Sequence, residues 1–300
     1  MPKDHYVPQF YLRNFSPWRK KNQIYLYRRA LTAELVGIAT VAFEHDYYAD
    51  RVDKTLGRQE IESAQIITKL LAAPQIELSA KERKRLSAFI GTLANRTPNS
   101  QERLFKRHSF VVGSLEDFLG DRDEFFRCER AKGYSGTDEE LDILRLEYLE
   151  SARQNYLRYQ PRKTDDGLIE TALEIASDTE TVIEDRQWHL LETVTSKVFV
   201  TSDNPVVQTR PENEVLWRAI GLRRGSVLLP LSPSRCLLID DFNYGNKLLS
   251  ITREKTAQIN AFIIAGAHEA VFANLVSKDI AKAFDGTVRG ENTDLSIRRA

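Results

Sequence analysis

The densest run of chemically capable side chains is His5-Tyr6-Val7-Pro8-Gln9-Phe10-Tyr11-Leu12-Arg13-Asn14-Phe15. Imidazole titrates near neutral pH without help, so His5 can serve as a general acid or base, or as a phosphate donor when charged. The plainer reading is that Phe10, Leu12 and Phe15 anchor this segment in the core and His5 is a satisfied polar neighbour. Thr201-Ser202-Asp203-Asn204-Pro205 follows the run Lys197-Val198-Phe199-Val200. A strand that ends in polar residues and a turn is a common place for catalytic groups. There Asp203 can orient a histidine or act as a base, and Asn204 can donate to an oxyanion. Asp-Asn-Pro is also ordinary turn chemistry, because Asp and Asn bond nearby amides and Pro fixes φ.

Arg96 is the third candidate. It suits a bidentate clamp on carboxylate or phosphate, or a cation on the last carbonyls of a helix. Glu62 follows Ile61 on a preceding helix. Facing inward, it would pair with Arg96, since adjacent helices joined by a short loop pack together. Ser232, in Pro230-Leu231-Ser232-Pro233, has no nucleophile motif behind it. GxGxxG, GxxxxGK, HExxH and GxSxG are all absent, as are CxxC and HxH spacings. Dinucleotide, P-loop, zincin and α/β-hydrolase chemistry lose weight, and neither metal nor cofactor is expected.

The elements that must position these groups follow from periodicity. Gln23 to Arg28 reads as a strand, with shorter candidates at Val41–Phe43 and Tyr47–Ala49. From about Asp53 the period is helical, with Ile61, Ala64, Ile67, Leu70 and Leu71 as the inward stripe and Pro74 as the stop. Ser79 with Glu82 forms a capping box. The helix it opens turns Leu86, Phe89, Ile90 and Leu93 inward and ends at Arg96-Thr97-Pro98. Further helices are expected over 100–119, from the Thr137/Glu140 capping box to Pro161, and over 167–177. The Thr137 helix carries Leu141, Leu144, Tyr148, Ala152 and Tyr156 inward. Strands are expected at 188–192, 197–202, 206–209, 226–229 and 236–239. A helix over 252–264, a strand over 270–273 and a frayed tail from 289 to 300 complete the chain.

This order predicts an α+β fold, with a mostly antiparallel sheet built from the N-terminal and C-terminal parts and a central helical block. On that reading residues 1–300 form one domain. The β-rich parts 1–52 and 185–275 flank a helical insertion of about 53–180.

The 300 residues carry 43 basic and 43 acidic side chains, so no global basic footprint marks a nucleic-acid binder. The composition, 42% hydrophobic and 29% charged, excludes a wholly disordered or collagen-like chain. Residues 81–107 hold eight basic and two acidic groups, and residues 116–150 hold twelve acidic and five basic ones. Two solvated helical faces account for this. A basic face for an anionic ligand accounts for it more sharply. The first residues lack an apolar signal region, and the longest apolar run, 261–267, is too short for a bilayer. A cytoplasmic protein with Cys128 and Cys236 reduced, and no membrane partner, is the expectation.

These motifs carry a resemblance. The chain resembles an uncharacterised, mainly bacterial family, domain of unknown function 4238. That family opens on His-Tyr-x-Pro-x-x-Tyr-Leu-x-x-Phe, matched in full by His5, Tyr6, Pro8, Tyr11, Leu12 and Phe15. An aromatic pair like Tyr47-Tyr48 follows, then a helical glutamate (Glu62 or Glu60), Arg96-Thr97-Pro98, Trp188, Thr201 to Pro205 and Pro230 to Pro233. The resemblance supplies positions and no reaction.

Taken together, His5, Asp203 and Asn204 are the expected catalytic groups, and Arg96, Tyr6 and Glu62 the expected substrate-binding ones. The reading is a metal-independent enzyme acting on a nucleic acid or nucleotide, in the manner of a defence or toxin nuclease. The alternative is a ligand- or partner-binding module using the same pocket, and a third reading makes the motifs purely structural. All three predict that the His5 segment lies within reach of the Thr201–Pro205 turn.

Overall fold

The computed structural model describes residues 3–17, 22–48, 50–102, 117–158, 176–177, 180–194, 196–209, 222, 225–244 and 248–286. The expected tail at 289–300 lies outside these, as do most of the helices expected over 100–119 and 167–177. The chain divides into two compact units, one of residues 1–100 and 169–300 and one of residues 101–168. The first two long helices pack within the larger unit, so the inserted unit is shorter than the expected 53–180.

In the larger unit, β1 (Lys3–His5) pairs antiparallel with β4 (Phe43–His45) as a two-stranded ribbon. The short helix α1 (Gln9–Arg13) follows β1. β2 (Gln23–Tyr27) and β3 (Glu34–Gly37) form a hairpin. Beyond β4 come α2 (Asp50–Ala72) and α3 (Ala80–Asn95). The late part supplies β5 (Gln187–Thr193), β6 (Thr201–Ser202), β7 (Val207–Gln208), β8 (Val227–Pro230) and β9 (Arg235–Asp240). β10 (Leu249–Ile251), a helix over Arg253–Gly266, β11 (Val271–Ala273) and a helix over Lys278–Asp285 close the unit.

The fold is α+β. One sheet has the order β3-β2-β11-β6 and is antiparallel throughout, so the N-terminal hairpin is completed by late strands. The other has the order β10-β5-β9-β8-β7, antiparallel except where β10 runs parallel to β5. Residues 203–206 carry the chain from β6 in one sheet to β7 in the other.

Two expectations shift for physical reasons. Residues 197–200 lie outside any strand, and a side chain takes up backbone groups that a neighbouring strand would bond. Asn260 Oδ1 accepts from the Val200 amide (3.1 Å) and its Nδ2 donates to the Val198 carbonyl (2.7 Å). On α2, Ile61 is 65% exposed, and the inward face runs through Val52, Leu56, Ser63, Ile66, Ile67 and Leu70. The expected stripe holds at Ile67 and Leu70 and fails at Ile61, because the buried Ser63 takes the inward position on that turn. On α3 the stripe is as expected, with Leu86, Phe89, Ile90 and Leu93 all inside.

The smaller unit holds α4 (Arg122–Ala131) and α5 (Asp138–Arg158) around Leu119, Phe125 and Leu141. Thr137 and Glu140 form the expected capping box, each accepting from the other's amide. Tyr148, expected inward, is half exposed. The side chains of 152 and 156 lie outside the described set.

Both halves of the Ser79 box on α3 are also made. The Ser79 amide and hydroxyl each donate to Glu82 Oε2 (2.8 Å), and Lys69 pairs with the same carboxylate. The Ser79 amide, the Ser79 hydroxyl and Lys69, in that order, pull the Glu82 carboxyl from 4.5 down to about 2. A carboxyl more acidic folded than unfolded stabilises fully above its unfolded pKa and loses that stability as pH falls through the folded one. The stability gap between wild type and Glu82→Gln should therefore be constant above pH 4.5 and shrink below it. Chemical melts across that range check this, and a gap that does not narrow counts against the cap.

Candidate functional site

The site grows from α1. Pro8 sits at its N-cap, where an extended backbone without a free N–H does no harm. One turn later α1 buries Tyr11 and Leu12, and Phe10 packs its ring 5.7 Å from Phe89 of α3. The Tyr11 hydroxyl lies 2.9 Å from Thr201 Oγ1 and donates to the Pro230 carbonyl at 2.5 Å. One phenol thus joins the His-Tyr-x-Pro segment, the Thr201–Pro205 turn and the Pro230 element. The N-terminal segment does reach that turn, through Tyr11.

Arg96 is the second junction and is 1% exposed. Its Nε donates to the Tyr6 carbonyl (2.9 Å), and its Nη2 to Glu60 Oε1 (2.9 Å). Its own carbonyl accepts from the Tyr47 hydroxyl (3.1 Å). Tyr6 and Tyr47 lie ring to ring at 6.1 Å, and Tyr47 and Tyr48 edge to face at 4.9 Å. Asp4, buried on the ribbon, accepts from the Tyr47 and Tyr48 amides with one oxygen (2.7 and 3.1 Å). Next along the chain, Thr97 Oγ1 donates to Asn204 Oδ1 (3.2 Å), and Asn204 Nδ2 donates to the Gly266 carbonyl (2.9 Å).

Several expected roles change. Glu62 lies away from Arg96 and pairs with Arg85 at 3.0 Å near the surface. Its neighbour Glu60, two residues earlier and on the inward side of α2, holds the guanidinium. The Asp203 carboxylate accepts from the amides of His268 (2.8 Å), Glu269 (2.7 Å) and Ala270 (2.9 Å). It is engaged by the chain after the 253–266 helix and forms no hydrogen bond with His5 among the described residues. Burial raises its pKa to about 6, against the pull of those amides. Asn204, expected to donate to an oxyanion, has both side-chain atoms occupied by Thr97 and Gly266. Tyr6 meets Arg96 through its carbonyl.

His5 stands apart. Its Nδ1 accepts from Gln9 Nε2 at 3.5 Å, and its ring lies 5.7 Å from Phe43. Its Nε2 is buried with no hydrogen bond. Burial holds its pKa below the ordinary 6.5, so the imidazole is neutral at pH 7. Arg96 Nη1 and the Tyr48 hydroxyl are also buried and unpartnered. Burial raises the Tyr48 phenol most, and the positive Arg96 eases it. No cluster of three His, Cys, Asp or Glu able to hold a metal occurs among the described residues.

The family model for proteins of unknown function (DUF4238) matches residues 3–276. The chain belongs to this family. No curated protein and no solved structure matches it. In this DUF4238 chain the motif elements far apart in sequence form one bonded network through Tyr11, Arg96, Thr97 and Asn204. Position in a motif could have singled out Tyr11 and Thr97. Tyr48 and Glu60 also stand at motif positions, but that Glu60 and not Glu62 holds Arg96, and that the Tyr48 hydroxyl is unmatched, shows only once the ribbon and α2 are placed.

If Asp203 is an anchor, Asp203→Ala leaves three buried amides without an acceptor. Each such orphan costs about 1–3 kcal/mol, so the variant should lose about 3 kcal/mol or more in denaturant melts. A variant as stable as wild type would return Asp203 to the list of free reactive groups.

Proposed function

We propose that the protein is a binding module for a small ligand bearing an oxyanion, held by Arg96 beneath the β1–β4 ribbon. One observation carries this: a guanidinium 1% exposed keeps one nitrogen, Nη1, without an acceptor. A buried charged donor left unpaired is costly and rare, and calls for an explanation in function. The unpartnered Tyr48 hydroxyl supplies a second donor, and Arg–carboxylate or Arg–phosphate pairing is the chemistry such a pair offers.

Access requires the ribbon to lift, because these atoms are sealed from solvent. The ribbon suits that role. A two-stranded pairing is marginal alone, and this one is latched by Asp4 to Tyr47 and Tyr48 and by Arg96 to Tyr6. At its foot Ala42 adopts φ 51 while accepting from the Tyr6 amide. A left-handed non-glycine residue costs about 1–2 kcal/mol, and such strain gathers at clamps and switches.

A nucleic-acid substrate has less behind it than the sequence suggested. Within the basic segment, Arg85 pairs with Glu62 and Arg96 with Glu60. Arg83 donates to the Glu184 and Arg186 carbonyls and stacks 4.6 Å over Trp188. Catalysis retains one supporting observation, the neutral His5, whose Nδ1 accepts from Gln9 and whose unpartnered Nε2 therefore carries the ring proton and can donate it.

Removing the lone Tyr48 hydroxyl should separate stability from function. Tyr48→Phe should stabilise the free protein by about 1 kcal/mol and weaken binding of acetate, phosphate or a nucleotide about tenfold. Melts and titration calorimetry read both. Loss of stability without loss of binding overturns the reading. Product formed from a phosphate ester by wild type, and lost in His5→Ala, would make the protein an enzyme.

A further inference from the structure

His5 sits on β1 between the two latches of the ribbon, and its surroundings fit one charge state. Asp4, the residue before it, holds the Tyr47 and Tyr48 amides. Tyr6, the residue after it, holds Arg96 through its carbonyl. Side chains alternate along a strand, so the His5 ring lies on the opposite face of the ribbon from Asp4. There it stands directly across from Phe43, with the rings 5.7 Å apart. Lys3 sits 4.5 Å over the same Phe43 ring, and His45 meets it edge to face at 5.3 Å.

A neutral imidazole has one donor and one acceptor, and a charged one has two donors. His5 Nδ1 accepts from Gln9 Nε2 at 3.5 Å. The Gln9 amide is held that way round from its other end, since Gln9 Oε1 accepts from Arg13 Nη2 at 3.2 Å. A proton arriving on Nδ1 therefore meets a donor, and turning the amide over would set its N–H groups against the Arg13 guanidinium. Nε2 is buried with no hydrogen bond.

Among the described residues, the charged or titratable groups around the ring are Lys3 and Asp4 on its own strand, Glu44 and His45 on β4 and Arg13 on α1. The turn of residues 38–40 brings none. Burial is the largest influence on His5 and holds its pKa below 6.5, against the pull of the Lys3 and Ala39 carbonyls. The closed ribbon thus takes a proton on His5 less readily than an open one, where water solvates the ring. By linkage, closure is at full strength above pH 6.5 and weakens as pH falls below it.

We infer that the β1–β4 ribbon is a proton-operated cover: protonation of His5 breaks its bond with Gln9 and frees β1, with both latches, from over Arg96. On the reading that Arg96 receives a ligand beneath the ribbon, acid is the signal that opens that site.

Hydrogen exchange of the Tyr47 and Tyr48 amides in the full chain, corrected for the intrinsic pH dependence of exchange, tests this between about pH 7.5 and 5.5. In wild type their protection should fall about threefold or more over that interval. In His5→Asn, which keeps an acceptor near the Nδ1 position and cannot charge, protection should stay level. In Gln9→Glu, whose carboxylate pairs with a charged His5, the fall should vanish as well. Should His5→Asn expose these amides already at the upper pH, Gln9→Glu alone decides. Level protection in wild type overturns the inference, as does a fall that persists in either variant. Titration calorimetry with acetate and inorganic phosphate separates the two readings. If neither probe binds at either pH, the oxyanion site falls and the proton-operated ribbon stands or falls on exchange alone.

Discussion

Arg96 has to place a full positive charge where almost no solvent reaches it. Desolvating a guanidinium costs several kcal/mol unless acceptors surround it, so the fold must bring acceptors from elsewhere. It brings the Tyr6 carbonyl from the ribbon and the Glu60 carboxylate from α2. The Arg96 carbonyl takes the Tyr47 hydroxyl in turn. The ribbon and two helices are thus fixed to each other around one side chain. That explains how a ribbon of two three-residue strands stays in place.

Arginine does similar work across the larger unit. Arg235 donates to the Leu70 and Ala73 carbonyls at the C-terminal end of α2 (both 2.7 Å) while holding Glu192. Arg186 binds Asp241 and the Leu222 and Gly225 carbonyls. Helix ends and loops leave carbonyls that need donors, and a planar fork with five N–H groups serves several at once. An abundance of arginine in this chain is therefore partly a property of how its loops and helix ends are closed. Reading basic residues as a ligand face overlooks that demand.

The class of fold was legible because the signals were local. Short β-rich runs bounded by polar residues or proline marked β2, β5 and β9, and capping boxes at Ser79 and Thr137 marked helix starts. The inner face of α2 was legible at Ile67 and Leu70 but not around residue 61, because it carries Glu60 and Ser63 where apolar residues were sought. Glu60 turns inward only because Arg96 waits there, a tertiary fact absent from any window of sequence. The parallel pairing of β10 with β5 and the Asn260 substitute for a strand are of the same kind. For the site, motif density located Arg96 and the Thr201–Pro205 turn. It could not separate a carboxylate holding three amides from one free to react.

That separation is the physical basis for dividing motif residues by role. Tyr11, Thr97, Asp203 and Asn204 have their polar atoms matched by partners from distant elements, and groups so matched define a unique packing. His5 Nε2, Arg96 Nη1 and the Tyr48 hydroxyl are equally buried and unmatched. Gln59 Oε1, Ser63 Oγ and Ser87 Oγ are buried and unmatched too, but they are neutral, whereas Arg96 Nη1 belongs to a full charge. Selection for stability alone would remove such atoms, since an apolar replacement of the same shape is the more stable choice. On the proposed reading, Arg96 Nη1 and the Tyr48 hydroxyl stay unmatched because a ligand is to match them when the ribbon lifts.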